Sequence, residues 1–197
     1  MRETTKNLNV YALCQCGIFI ALATILSFLP VYEMPMGGSV TLASMLPILL
    51  VGVKFGYKWG LGASTVYMLI QLMQAFIKGN VFIYCVGAGA VIVCLMFDYI
   101  VPFTILGLSA FAKPKATEKL SVIKVCLTFG VLIFARFICH FITGVVIWGQ
   151  WAPEGMGKFV YSLAYNGQYM LPELIITVAI SALMLSSSQI EKLLTKK

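Results

Sequence analysis

The chain carries its only histidine inside a long apolar run, one helical turn after an arginine. His140 follows Arg136 by four residues, and Gly144 and Trp148 continue the same spacing. At 3.6 residues per turn, side chains four apart follow one face of a helix. Charged and titratable groups are costly in hydrocarbon, so they usually face a bundle interior, a partner or a ligand. We expect this face to point inward, with Gly144 allowing close approach of another helix or a ligand.

Three charged residues fall within apolar segments of membrane length: Asp98, Arg136 and Glu173. Opposite charges in a low dielectric usually neutralise each other, so Arg136 could pair with either carboxylate. We expect it to pair with Glu173, which follows Pro172, where freed backbone groups could also help to satisfy the carboxylate. That pairing would leave Asp98 as the carboxylate available to a ligand.

Polar and aromatic side chains near these charges predict the kind of ligand. A carboxylate beside aromatic faces favours a cation, because the acid and the ring quadrupoles both attract positive charge. Amide, imidazole and phenol groups can also read the edge of a heterocycle by directional hydrogen bonds. The candidate ligand-binding residues are Asp98, Tyr99, His140, Trp148, Tyr161 and Asn166. They favour a flat, cationic, nitrogen-containing small molecule.

Catalytic and metal-binding signatures are missing from the sequence. It contains no HExxH or GxSxG motif and no cluster of residues at metal-ligand spacing. The six cysteines are scattered, and we expect them to act as small apolar side chains. The residues therefore predict binding without catalysis, and no cofactor or metal.

The composition places these residues in a membrane protein. Of 197 residues, 60% are hydrophobic and 11% are charged, and the mean hydropathy is +0.95. A soluble domain would carry about 25% charged residues. The polar stretches are too short for a soluble domain, and no GxxxxGK[ST] motif for ATP binding occurs. We expect an integral membrane protein without an ATPase of its own.

Six apolar segments are candidate membrane spans, although the second is shorter than the roughly 20 residues that a span needs. Their approximate bounds are 10–30, 41–53, 59–77, 87–110, 122–148 and 166–186. The predicted fold class is thus an all-α integral membrane protein with six transmembrane helices. We expect one domain over 1–197, with polar tails at 1–9 and 187–197.

The distribution of lysine and arginine predicts the orientation. With the N-terminus in the cytoplasm, eleven basic residues lie in cytoplasmic segments and only Lys78 and Lys158 lie outside. This bias follows the positive-inside rule and predicts that both termini are cytoplasmic. It also explains the net charge of +7 without nucleic acid as a partner. Trp148 would lie at the outer end of the fifth span, as an interfacial anchor or as a ligand platform.

The chain resembles the thiamine-specific substrate-binding subunits (ThiT/YuaJ type) of energy-coupling-factor (ECF) vitamin transporters. The resemblance runs from the first to the sixth apolar segment. Four motifs carry it, and the last two together are specific for this family. The motifs are GGSVTLASMLPI (37–48), FDYIVPF (97–103), ARFICHFITGVVIWGQWAPEGM (135–156) and VYSLAYNGQYMLPE (160–173).

This resemblance implies the ECF substrate-binding subunit fold and a thiamine pocket on the outer side, closed by the first external loop. It assigns the pocket to the six candidate residues named above, with Tyr32 as a possible aromatic contribution from the loop. It implies that the subunit reorients in the membrane together with a transmembrane coupling subunit and two cytoplasmic ATPase subunits. Gly17 and Ala21 match the small-residue motif that docks on the coupling subunit, although they could instead pack internally.

The sequence is also compatible with two alternatives. The chain could belong to the same family but bind another vitamin or a thiamine precursor. It could instead be a stand-alone secondary transporter that uses Asp98, Arg136 and Glu173 as a proton relay. A membrane enzyme is disfavoured, because no catalytic set of residues is present.

Overall fold

The computed structural model describes residues 2–77, 81–115 and 118–195. Most of the described chain is helical, with one two-stranded hairpin between the first two helices. The elements are α1 (Arg2–Ser27), β1 (Tyr32–Glu33), β2 (Ser39–Val40), α2 (Leu46–Phe55), α3 (Tyr57–Ile77), α4 (Ala88–Cys94), α5 (Val101–Thr104), α6 (Val122–Val146), α7 (Lys158–Leu185) and α8 (Ser188–Thr195).

Five helices in the described chain are long and apolar enough to cross a membrane. The third of these is the composite helix Ala88–Ala112, which joins α4, a π-helical turn, α5 and a 3-10 turn. The second expected span corresponds to α2, whose ten residues reach only about 15 Å, against a hydrocarbon core of about 30 Å. Nine of the ten residues of α2 are buried, so this helix forms the centre of the bundle. The count of six spans and the orientation of the termini stay predictions.

The last long helix begins at Lys158, eight residues before the expected start at 166. The buried face of α7 begins with Ser162 and Asn166 and continues through Glu173, so it is rich in polar side chains. Hydropathy therefore sets the beginning of this helix too late. As a result, Tyr161 lies on α7, whereas the predicted bounds placed it between the fifth and sixth spans.

Both expected tails contain helix. The structure starts α1 at Arg2, whereas the sequence predicted a polar tail over 1–9. At the other end, Ser188–Thr195 forms α8 within the expected tail 187–197. Leu194 of α8 is buried, and Lys54 Nζ donates a hydrogen bond of 2.6 Å to the carbonyl of Leu193. Apolar length alone cannot reveal such polar or amphipathic helices.

A π-helical turn, Leu95–Ile100, interrupts the composite helix where Asp98 lies. Pro102 has no N–H, so the carbonyl of Asp98 cannot receive the usual bond from four residues further on. Val101 N–H bonds to the carbonyl of Met96, five residues back. Such turns inside α-helices are frequent at functional sites.

Three glycines bring the backbones of α2, α3 and the 3-10 turn Ile105–Ala112 into direct contact. A Cβ added to Gly107 would lie 2.6 Å from the backbone nitrogen of Leu61 and 2.7 Å from the carbonyl carbon of Gly60. A Cβ on Gly52 would lie 2.8 Å from the backbone nitrogen of Ala110. Small residues at such crossings provide the close van der Waals packing that holds membrane helices together.

We expect Gly107→Ala to lower stability by about 1–3 kcal/mol, because the added methyl group meets backbone that cannot rotate away. Thermal unfolding of the detergent-solubilised protein measures the change. Gly62→Ala is the matched control, since nothing lies within 4 Å of a Cβ at that helical position. Equal melting temperatures for the two variants would contradict the close packing.

Candidate ligand-binding site

A cavity of about 440 Å³ lies between the hairpin, α3, the composite helix, α6 and α7. It falls within the size range of small-molecule sites, roughly 300–1,000 Å³. The residues that line it run from Ser27 to Glu173, so the fold joins segments that are far apart in the sequence. All six predicted site residues line this cavity: Asp98, Tyr99, His140, Trp148, Tyr161 and Asn166.

Three side chains converge on the carboxylate of Asp98. His140 Nδ1 lies 2.9 Å from Oδ1, and Trp148 Nε1 donates to Oδ2 at 3.2 Å. Thr143, which the sequence did not single out, donates its hydroxyl proton to Oδ1. A carboxylate only accepts hydrogen bonds, so these contacts hold both of its oxygens in place. The protein thus fixes the position of the Asp98 carboxylate in the cavity wall.

His140 is oriented by the same contact. Because Nδ1 bonds to the carboxylate of Asp98, Nε2 is the ring nitrogen left for another partner. It is buried and has no hydrogen-bond partner within the described chain. His140 also meets the ring of Tyr169 edge to face, with 6.2 Å between centroids.

Trp148 forms part of the cavity wall. It lies just beyond the end of α6, in the 3-10 turn Trp148–Trp151. The ring of Tyr84 packs edge to face against Trp148 at 6.3 Å and against Trp151 at 5.9 Å. Of the two interpretations of Trp148, this position favours the ligand platform, whereas Trp151 is exposed.

Asn166, on α7, forms a hydrogen bond to the backbone of α6. Its Nδ2 donates to the carbonyl of His140 at 3.2 Å, and its Oδ1 accepts a hydrogen bond of 2.8 Å from Tyr169. A Cβ on Gly144 would lie 2.8 Å from Asn166 Nδ2 and from Ser162 Cβ. The expectation that Gly144 permits close approach is therefore confirmed, and the approaching element is α7.

The hairpin covers one side of the cavity and is held by tyrosines of α7. Tyr165, which the sequence analysis missed, accepts a hydrogen bond from Met36 N at 2.8 Å and donates to the carbonyl of Gly37 at 3.1 Å. Tyr161 OH lies 3.7 Å from Met36 Sδ. The repeat of tyrosines every four residues on α7 was the available signal. Tyr32, the possible loop aromatic, is exposed and does not line the cavity.

The expected pairing of Arg136 with Glu173 is wrong. Glu173 instead accepts hydrogen bonds from the backbone N–H of Thr41 at 2.6 Å and from its hydroxyl at 2.7 Å. The guanidinium of Arg136 lies 4.3 Å from the centroid of the Phe103 ring and contacts Met45 Sδ. Among the described residues, no carboxylate lies within ion-pair distance of it, and Arg136 and Glu173 interact only through a longer-range electrostatic attraction. The residue that satisfies Glu173 is 132 positions away in the sequence, which hides the contact from local patterns.

A helical membrane bundle that encloses a cavity with a fixed carboxylate and aromatic walls defines a multi-pass binding or transport protein. The family described as Thiamine transporter protein (Thia_YuaJ) matches residues 13–193. The chain belongs to this family. It is therefore a multi-pass transport protein of the cell membrane and not an enzyme.

Individual relatives agree with the family match. The chain is 34% identical over 184 residues to thiamine transporter ThiT of Bacillus subtilis, covering 87% of this chain and 88% of the relative. It is 29% identical over 152 residues to thiamine transporter ThiT of Lacticaseibacillus paracasei, covering 72% and 71%. The solved structure of ThiT from Listeria monocytogenes superposes with a TM-score of 0.71 at 22% identity, covering 93% of this chain and 98% of that one. This likeness shows that the two chains share a fold.

We expect Thr41→Val to lower stability by about 1–3 kcal/mol, because the buried carboxylate of Glu173 loses one of its two donors. Thermal unfolding in detergent measures the loss. Thr65→Val is the matched control, since that exposed hydroxyl bonds only to the carbonyl of Leu61 in its own helix. If Thr41→Val has the same melting temperature as the wild type, the hydroxyl contact with Glu173 contributes nothing to stability.

Proposed function

We propose that this protein is the thiamine-capturing subunit of an ECF-type importer. The observation that carries the proposal is the carboxylate of Asp98, fixed by three donors and open to an aromatic-walled cavity. Thiamine joins a cationic thiazolium ring to an aminopyrimidine ring by one methylene group. The family and the names of the relatives support the choice of this cation over others.

The cavity offers each part of thiamine a matching group. The thiazolium would lie against Asp98, with Trp148 and Tyr99 as aromatic surfaces that attract its positive charge. His140 Nε2 has no hydrogen-bond partner in the described chain and can contact either ring. Tyr161 and Asn166 would supply further polar contacts to the heterocycle edges. All of these contacts would be non-covalent, so the ligand would be bound without being changed.

Access to the cavity would be from the outside of the cell. The basic residues predict that the α2–α3 connection is cytoplasmic, and the hairpin and the 3-10 turn Trp148–Trp151 would then face outward. The hairpin residues 33–39 line the cavity and would cover the bound ligand. Release on the inner side would require the whole subunit to reorient.

Energy for uptake would come from other chains. The sequence has no ATP-binding motif, so a transmembrane coupling subunit and two cytoplasmic ATPase subunits would supply it. Gly17 and Ala21 are exposed on one face of α1, and a Cβ on Gly17 would meet nothing within 4 Å. This exposure supports docking on a partner over the alternative that they pack inside this chain. This face suits close contact with another membrane helix.

We expect Asp98→Asn to weaken thiamine binding by roughly 10- to 100-fold, because it removes a charge-assisted contact of about 1.5–3 kcal/mol. Titration of the purified, detergent-solubilised chain, followed by tryptophan fluorescence and by calorimetry, measures the dissociation constant. Saturable, sub-micromolar binding by the wild type without any ATPase is the primary expected result.

Glu118→Gln is the control for loss of a carboxylate, since Glu118 is exposed and does not line the cavity. The fluorescence change should disappear in Trp148→Phe and persist in Trp59→Phe, because only Trp148 lines the cavity. Thiamine binding that is equally tight in Asp98→Asn would contradict the role of the carboxylate. If the wild type does not bind thiamine but binds another vitamin or a thiamine precursor, the assignment of thiamine as the ligand is wrong.

We expect Gly17→Leu to abolish ATP-driven uptake while leaving the dissociation constant for thiamine unchanged, because a bulky side chain blocks close helix contact. Uptake is measured in vesicles that also contain the coupling subunit and the ATPases. Gly62→Leu on α3, another exposed glycine with open space around it, is the matched control and should transport normally. Proton-driven uptake in vesicles without any ATPase would instead support a stand-alone transporter.

A further inference from the structure

Two of the six cysteines contact each other beside the π-helical turn. The thiols of Cys85 and Cys94, nine residues apart in the sequence, form a side-chain hydrogen bond. Cys94 is the last residue of α4 and is fully buried, whereas Cys85 is half-buried, and both are free cysteines. The other four lie on α1 and α6: Cys14, Cys16, Cys126 and Cys139. The thiols of Cys85 and Cys94 are therefore close enough to react with each other.

Aromatic packing holds the segment before α4 against the composite helix. The ring of Phe82, in the 3-10 turn Val81–Tyr84, lies 5.7 Å from the ring of Tyr99 between centroids. Cys85 follows this turn directly, and its N–H bonds to the carbonyl of Phe82 at 3.0 Å. Gly87, at a φ of +86°, then turns the chain into α4. Cys85 therefore lies beside the far end of α4, where it meets Cys94.

Contact between two thiols permits a disulfide to form by thiol–disulfide exchange. The two sulfur atoms, already in hydrogen-bond contact, have only to approach to about 2.05 Å. In the predicted orientation the α3–α4 connection lies outside the cell, where disulfides form and persist. Cys85 is the more exposed of the two, so a small disulfide in the medium reaches it first. The buried Cys94 is then placed to attack the mixed disulfide.

We infer that Cys85 and Cys94 form a redox pair, which a small organic disulfide converts to an intramolecular disulfide. The Cys85 thiolate attacks one sulfur of that molecule and releases its first thiolate. Cys94 then attacks the Cys85 sulfur of the mixed disulfide and releases the second. The two protein thiols lose two electrons and two protons, and the small disulfide takes up both to become two thiols. An excess of a reducing dithiol reverses the reaction.

The redox pair adjoins the candidate ligand-binding site through Asp98. The thiol of Cys94 forms a hydrogen bond to the Asp98 side chain, four residues further on, in addition to the three contacts described above. A thiol is a weak donor and a carboxylate an acceptor, so the disulfide would remove this bond and draw the sulfur toward Cys85. Oxidation should therefore weaken capture of the cationic ligand. This effect rests on the proposed function, whereas formation of the disulfide does not.

The disulfide itself is tested on the purified full chain in detergent, exposed to oxidised glutathione. Mass spectrometry of the proteolysed, unreduced protein locates the bond, and we expect it between Cys85 and Cys94. In Cys94→Ala the reaction should stop with glutathione attached to Cys85, whereas in Cys85→Ser the buried Cys94 should stay reduced. Cys126→Ser is the matched control, since it removes another half-buried cysteine and should leave the disulfide unaffected.

The effect on binding is tested by calorimetry with thiamine before oxidation, after it, and after reduction with dithiothreitol. We expect the oxidised wild type to bind roughly 3- to 10-fold weaker, as for one lost hydrogen bond, and reduction to restore its affinity. Cys94→Ala should show the same weakening without oxidant, because it already lacks the bond to Asp98. Cys85→Ser keeps that bond and should bind like the reduced wild type with or without oxidant.

The outcomes separate the redox pair from the proposed function. Oxidised wild type without a bond between Cys85 and Cys94 would overturn the redox pair and leave thiamine capture intact. A disulfide that forms without changing the dissociation constant would overturn the effect of the pair on binding. If the reduced wild type does not bind thiamine, the proposed function and the effect on binding both fail, and the mass spectrum alone decides whether the pair forms a disulfide.

Discussion

The hydrogen bonds to the carboxylate of Asp98, made inside a bundle of low dielectric, orient much of the site. Its three donors come from α6 and from the 3-10 turn that follows it, so the end of one helix organises the charge. The same contacts orient the ring of His140 and the plane of Trp148. Moving the carboxylate would therefore release the imidazole and the indole together.

The backbone that carries Asp98 contributes to this arrangement. Pro102 withholds the N–H that would otherwise bond to the carbonyl of Asp98, and the helix adopts a π-helical turn at that point. The next stretch continues into the 3-10 turn whose Gly107 packs directly on α3. Asp98 thus lies in a local irregularity of the helix, and the stretch that follows it is held by close backbone contact with α3.

Helical periodicity was the most informative sequence signal. The spacing of Arg136, His140, Gly144 and Trp148 predicted an inward face, and all four residues line the cavity. Hydropathy was less reliable at α7. Because the buried face of this helix is polar, the apolar run begins at about residue 166, eight residues after the helix itself begins. The partner of Glu173 could not be predicted, because Thr41 reaches it only through the tertiary fold. Local patterns thus identify faces, whereas pairings between distant segments depend on how those faces meet.

The contact between Lys54 and the last helix links distant parts of the chain. The ammonium group lies 5.6 Å from the ring centroid of Tyr11 and 5.4 Å from that of Phe55, and it caps a carbonyl near the end of α8. A cation at a helix C-terminus is favoured by the helix dipole. Shortening the chain before α8 would remove the acceptor of a largely buried lysine. The C-terminal segment is accordingly an integral part of the folded bundle, and an affinity tag or fusion partner is better joined beyond it than in its place.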